Sequence, residues 1–322
     1  MTQQADPGNL PVSRADVDAA HERIRGYVRR TPILPARFDE AAGADVCLKL
    51  ELLQYAGSFK TRGAFNNLLS RDVAAAGVTA ASGGNHGIAV ALAARRLGYK
   101  ARIFIPEISP PVKVDAIRAQ SAEAIVGGAR YADAQAACDA YAAETGALLV
   151  HPYDALETLA GQGTVAKEWD EDQQALGLGN LDTVLIGVGG GGLIGGMAAW
   201  WAGRVKVVGV EPEGSCCLHA ALAADELVDV EVNSVAADSL GARRAGSLVF
   251  DIARHAVDHV ALVSDDAIRD TQKLLWRDFR LVSEPGGAAA LAALLSGRYK
   301  PGPGERVGVL LCGSNTDPAT VA

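Results

Sequence analysis

Much of what this chain lacks narrows what it can be. It has no C-x-x-C pair, and its cysteines, Cys47, Cys138, Cys216, Cys217 and Cys312, are odd in number. Neither a disulfide framework nor a zinc site is therefore indicated, and reduced thiols in a cytoplasm fit best. No apolar stretch reaches about 18 residues without a charge or a glycine break, and Met1 to Leu10 is polar, without the basic and apolar regions of a signal peptide. A soluble, unexported protein with no membrane partner is expected. No Lys/Arg cluster interrupts a formal net charge of −8, so nothing offers nucleic acid or an anionic surface an electrostatic footprint. A small anionic ligand would have to be held by local groups. Internal repeats and low-complexity linkers are also missing, so the two lobes expected of 322 residues should be interwoven rather than strung in series.

What the chain does contain is strand and helix in turn. Continuous apolar runs occupy 46–50, 102–105, 148–150, 183–188, 205–210 and 307–312, the pattern of strands covered on both faces. Helical patterns lie at 87–97, 117–123, 132–144, 161–168 and 265–278, after a first helix at 14–28 that Ser13 can cap and Arg30-Thr31-Pro32 ends. The sum is an α/β architecture with parallel sheets.

In such sheets ligands gather at the carboxyl ends of strands, where the chain turns into a helix through small residues. Three segments do this: Val78 to Ala81 into Ser82-Gly83-Gly84-Asn85-His86-Gly87, Ile186 into Gly187-Val188-Gly189-Gly190-Gly191-Gly192, and Leu311-Cys312 into Gly313-Ser314-Asn315. Each alone reads equally as a tight turn. The glycine run also fits a dinucleotide fingerprint, with Glu211 nineteen positions beyond Gly192 where a ribose-binding acid would sit. Consecutive glycines equally let backbone N–H groups converge on a phosphate. A fourth segment, Gly57-Ser58-Phe59-Lys60-Thr61-Arg62-Gly63, places a lysine among small residues. Burial there would lower its pKa and release a nucleophilic amine.

Taken in order, the lysine loop, Ser82 to Gly87, the tetraglycine and Cys312 to Asn315 resemble the fold type II pyridoxal phosphate enzymes, in their threonine/serine dehydratase and serine racemase branch. The resemblance extends to His151-Pro152-Tyr153-Asp154, Gly209-Val210-Glu211-Pro212 and Ser283-Glu284-Pro285, whereas a dinucleotide dehydrogenase explains only the glycine run. It implies two interwoven open parallel-sheet domains like those of the tryptophan synthase β chain. The larger, cofactor-binding domain would take 1–75 and 154–322, and the smaller 76–153. It further implies pyridoxal phosphate as cofactor, a small amino-acid substrate and a homodimer or higher homo-oligomer.

Residue by residue, the resemblance makes Lys60 the Schiff-base lysine and the base that removes the α-proton. Phe59 would pack on the cofactor ring, Asn85 would meet its phenolic oxygen, Gly189, Gly190, Gly191 and Gly192 would hold its phosphate, and Cys312 would face its pyridine nitrogen. Ser82, Gly83, Gly84 and His86 would bind the substrate carboxylate, mostly through backbone donors, with His86 itself structural. A thiol at the ring nitrogen stabilises negative charge poorly, which favours prompt loss of a β-substituent over transamination. Loss of a β-hydroxyl from an amino acid such as threonine or serine, giving a 2-oxo acid and ammonia, is the expected reaction, with 3-hydroxyaspartate or a bulkier β-hydroxy amino acid as alternative substrates.

Departures from the pattern carry their own expectations. Gly83 stands where racemases have a serine acid/base, which favours a dehydratase over a racemase. Glu211 matches a racemase cation ligand, but its aspartate partner is replaced by Cys217, a poor ligand for Mg²⁺ or Ca²⁺. Glu284 could position a water, contact a cofactor oxygen or simply sit at a helix N-terminus. His255 and His259 have helical ligand spacing yet flank a helix end. Arg243 or Arg244 could meet a second substrate carboxylate or cover the surface. The chain ends soon after Asp317, so no appended domain for feedback by isoleucine is expected.

Overall fold

The computed structural model describes residues 10–41 and 43–321, so most of the polar amino-terminal segment lies outside the described residues. Ten strands are present among them: β1 (Ile33–Ala36), β2 (Asp45–Lys49), β3 (Val78–Ala81), β4 (Ala101–Ile105), β5 (Glu123–Val126), β6 (Leu148–Leu149), β7 (Thr183–Gly187), β8 (Lys206–Pro212), β9 (His259–Val263) and β10 (Arg306–Leu310). They form a six-stranded sheet in the order β1-β2-β10-β7-β8-β9 and a four-stranded sheet in the order β5-β4-β3-β6.

Every pairing among these strands is parallel, as expected, except that of the edge strand β1 with β2, which is antiparallel. The physical reason is length: the 37–44 connection is shorter than the roughly dozen residues a parallel crossover needs. Elsewhere the α/β reading is the observed fold.

The central strand β7 is buried throughout, and its residues alternate between two cores. Val184 and Ile186 face the helices Arg14–Ile24, Leu156–Ala175, Gly192–Trp201 and Ser247–Ala256, with Trp169 and Trp201 in that core. Leu185 faces the other side, where the alanine-rich helix Pro285–Leu295 is buried nearly from end to end. A strand sandwiched in this way needs continuous hydrophobicity, which is why it was legible in the sequence.

The four-stranded sheet carries Asn85–Leu97 and Pro111–Arg118 in one core and Tyr131–Thr145 in another. Its larger core also takes in Ile24, Ala64, Phe65 and Leu68 from the chain preceding β3, so the two sheets share their packing.

Local chemistry explains the helix limits. Ser13 and Asp16 form a reciprocal capping box, Ser13 Oγ accepting from Asp16 N at 3.2 Å and the Asp16 carboxylate accepting from Ser13 N at 2.9 Å. That helix stops at Ile24 rather than 28, because Gly26 turns the chain with φ +86°. The helix expected over 117–123 lies earlier, at Pro111–Arg118, where a proline suits the first turn, and Ser121 at φ +61° then breaks into strand β5. The pattern at 265–278 is helix Asp265–Leu274 followed by a π turn, Leu275–Phe279. His255 and His259 are not on one helix: the helix ends at Ala256 and His259 opens β9, bonded to Asp258 at 2.7 Å. No group of three or more metal-ligating side chains occurs among the described residues, and no helix there is long and apolar enough to cross a membrane.

Candidate active site

A cavity opens where β7 and β10 end. The lysine loop reaches it because backbone bonds stitch it to the chain leaving β10: Phe59 N donates to Cys312 O at 3.2 Å, and Ser314 N to Gly57 O at 2.9 Å. Lys60 opens the helix Lys60–Ser70 and is held with its amine donating to Pro152 O at 2.7 Å. No carboxylate lies within hydrogen-bonding distance of that amine among the described residues. Burial therefore dominates and lowers its pKa from 10.5 to about 8, although Cys312 and Glu284 pull the other way.

The second wall is the glycine run. Gly191, at φ +89°, caps the helix Gly192–Trp201, whose N-terminus meets the cavity. A side chain at Gly191 would collide with Val249, and one at Gly192 would lie 2.8 Å from Tyr153 Cα, so the backbone is pressed into this shape from outside. The N–H groups of Gly189, Gly190 and Gly191 donate to no acceptor among the described residues. A row of unpaired N–H donors at a helix start is a ready anion site.

The third wall is polar. Glu284, at the N-cap of Pro285–Leu295, is pushed up to about 7 by burial, with Lys113 and Asn85 opposing that rise and Asp238 adding to it. Asn85 donates its amide to one Glu284 oxygen and accepts from Asn315 Nδ2 at 2.8 Å, which sets which way the amide points. Asn315 also donates to Ala56 O at 2.7 Å, tying this relay back to the lysine loop. Cys312 is buried, its thiol pushed up by burial and held neutral, with Sγ donating to Gly286 O at 3.5 Å.

Phe59, Lys60, Asn85, the four glycines, Glu284 and Cys312 thus share one cavity. Ser82, Gly83, Gly84 and His86 do not line it. Ser82 Oγ accepts from Gly84 N at 3.2 Å, Gly83 abuts Ser109, and Gly84 caps the helix Asn85–Leu97. His86 Nε2 bonds Val150 O at 2.8 Å and burial lowers its pKa to about 3, which suits a neutral structural ring. Sequence reasoning passed over Lys113, which pairs with Asp238 and Glu284, and gave no role to Ser239 and Leu240 although both line the cavity. Nothing local in the sequence singles out Lys113.

The Glu211 oxygens accept Leu218 N at 2.9 Å and His219 N at 2.8 Å, so Glu211 caps the helix Cys217–Ala224. Burial raises its pKa to about 7. Arg244 pairs with Asp229 at 2.9 Å with half its side chain exposed, away from the cavity.

A buried amine of lowered basicity sharing a cavity with unpaired glycine N–H groups defines an enzyme built to keep a phosphorylated carbonyl compound beside a lysine. A family profile described as pyridoxal-phosphate dependent enzyme matches residues 24–313, and the chain belongs to that family. It is 38% identical over 328 residues to a phenylserine dehydratase of Ralstonia pickettii, covering 99% of this chain and 98% of that one. It is 40% identical over 329 residues to a biosynthetic L-threonine dehydratase of Mycobacterium tuberculosis, covering 97% of this chain and 74% of that one. Among solved structures, maize serine racemase superposes with a TM-score of 0.88 at 32% identity, covering 96% and 95% of the two chains. A serine racemase from Dictyostelium discoideum gives 0.86 at 34%, covering 95% and 99%. The dinucleotide reading of the glycine run is thereby replaced.

Proposed function

We propose that this chain is a pyridoxal-phosphate-dependent ammonia-lyase that eliminates the β-hydroxyl of an L-β-hydroxy-α-amino acid and releases a 2-oxo acid and ammonia. The observation that carries the reading is Lys60, an amine with a pKa near 8 and no carboxylate partner, in the same cavity as the unpaired N–H groups of the glycine run. When bound, pyridoxal phosphate supplies a carbonyl that condenses with amines and a ring that withdraws electrons from the substrate Cα. Gly189 to Gly192 would hold its phosphate, Asn85 its phenolic oxygen, Phe59 the ring face, and Cys312 the ring nitrogen.

The side chains divide the remaining work by their protonation. Lys60, with a pKa lowered to about 8, keeps a minor neutral fraction at neutral pH that can take the α-proton; Cys312, a neutral thiol, places no full charge beside the ring. Glu284, with a pKa near 7, can hold or yield a proton in the same range and is kept in place by Asn85 and Lys113. Ser82, Gly83 and Gly84 belong to the loop that precedes Asn85, and we retain their backbone as the substrate-carboxylate site.

The cavity favours an uncharged β-substituent. Lys60 is the cation that lines it among the described residues, Lys113 is paired with two carboxylates, and Arg244 is on the surface. Threonine, serine and β-aryl analogues fit that chemistry better than 3-hydroxyaspartate. The same reading includes a cytoplasmic homodimer, in keeping with five free cysteines. Measuring 2-oxo acid release by the cofactor-loaded protein from L-threonine, L-serine, L-threo-phenylserine and threo-3-hydroxyaspartate tests it. Turnover of at least one uncharged substrate, with hydroxyaspartate slowest, is expected; no product from any of the four would overturn the elimination.

A further inference from the structure

Lys113 is a buried cation that crosses from one sheet to the other. It sits on the helix Pro111–Arg118, packed on the four-stranded sheet, and only 3% of its side chain is exposed. Its Nζ lies 2.7 Å from Asp238 Oδ2 and 3.4 Å from Glu284 Oε2. Asp238 belongs to the short helix Ala237–Leu240, whose Ser239 and Leu240 line the cavity, and Glu284 starts the helix buried against β7. Both carboxylates therefore belong to the six-stranded side.

A buried ammonium is tolerated only when it is paired, and here both partners come from the other sheet. Asn85, at the head of the helix that follows β3, makes a parallel crossing to the second oxygen of Glu284. Next to it the backbone of Gly84 lies close to the Asp238 carbonyl, 3.3 Å from where a Cβ would sit. Three contacts thus seal one line along the cavity, and Lys113 is the charged one. Lys113, Asp238, Lys60 and Cys312 are the titratable groups that face Glu284.

We propose that Lys113 is a positioning residue: by pairing with Asp238 and Glu284 it clasps the four-stranded sheet over the cavity and so holds Asn85, Glu284 and the Ser82–Gly84 loop in register with Lys60. The proposal rests on the elimination reading for its kinetic consequence but not for its structural one. Without the clasp the two sheets separate more readily, the loop is no longer held against the Asp238 segment, and substrate meets an incomplete site.

Amide hydrogen exchange of the cofactor-free protein, followed by peptide, reads the clasp without any turnover. In Lys113→Met, exchange across 82–86 and 237–240 should rise by about a hundredfold or more, the scale on which breaking a buried charge pair shifts an equilibrium, while β7 and β10 stay protected. In the loaded enzyme the KM of the substrate turned over should rise as kcat falls. Partial unfolding alone would lower apparent kcat and leave KM where it was. Should Lys113→Met fail to fold, Asp238→Asn loosens the same pairing without stranding a carboxylate and should show the same regional exchange. Unchanged exchange at 82–86 and 237–240 in a folded variant, or an unchanged KM in an active one, overturns the clasp. Raised exchange in a protein that eliminates none of the four substrates supports the clasp and refutes only the elimination.

Discussion

Lys60 and Arg62 are two residues apart on one helix, Arg62 fully buried and Lys60 half-buried at the cavity wall, and their surroundings are opposite. Arg62 is held by Glu51, with Nε to Oε2 at 2.9 Å and Nη2 to Oε1 at 2.6 Å, and by Glu168 at 3.1 Å. Lys49 joins the cluster, 2.7 Å from Glu168 and 3.0 Å from Asp172. The carboxylates hold the Arg62 guanidinium firmly charged, and the two cations pull Glu168 down to about 2 despite its burial. Lys60 has a single carbonyl for a partner and falls to about 8. Burial penalises charge in both places, and the compensation differs. The compensated cation becomes a pillar under the helix, and the uncompensated one becomes an amine that can react.

Exchanging the two roles by mutation gives the largest effects. Lys60→Ala should reduce 2-oxo acid formation by at least about 10³-fold, since it removes the amine that condenses and takes a proton, yet leave urea stability unchanged or slightly raised. Arg62→Met should do the reverse, costing about 3–5 kcal/mol in a urea titration by stranding Glu51 and Glu168. An Arg62→Met protein as stable as the parent would break the contrast. Gly191→Ala probes the other wall of the cavity: a positive φ and the Val249 contact should cost about 1–3 kcal/mol locally and weaken cofactor retention, read by spectroscopic titration, with the fold kept.

A milder test uses pH alone. Folded Lys60 releases its proton near 8, whereas the unfolded chain keeps it to about 10.5. Cofactor uptake by the cofactor-free protein should therefore quicken as pH rises through 8, because the neutral amine is the reactive form. Between 8 and 10.5 the unfolded chain binds the extra proton, so the Lys60 contribution to stability should grow with pH across that window, and Lys60→Ala should flatten both trends. A pH-independent rate of uptake would place the amine's pKa elsewhere.

Much of the site was legible because its chemistry demands particular residue types in contiguous segments. A lysine among small residues, four glycines after a strand, and a cysteine just past the last strand are each local facts, and the structure brings them to one cavity. Glu284 was legible as part of a motif, but its raised pKa was not, because that comes from burial under Asn85, Asp238 and Lys113. Glu211 shows the opposite case. Its spacing suited a ribose ligand or a cation ligand, and only folding revealed that helix N–H groups occupy both of its oxygens. The strands β1, β5 and β9 went unseen for another reason: apolar runs of three or four residues, such as Ile33 to Ala36 and Val260 to Val263, are too short for periodicity to tell strand from helix.

The amino-acid order by itself thus determined the α/β class, the alternation that buries β7, and which segments could hold a phosphate and a nucleophilic amine. Those follow from periodicity and residue type, which act over a few neighbouring residues. Only the tertiary structure decided which buried charges are paired, that Lys113 reaches Asp238 and Glu284 across two sheets, and that Lys60 is left with a lone carbonyl. Electrostatic compensation depends on distances between residues as far as 171 positions apart, and those distances exist only once the sheets have packed.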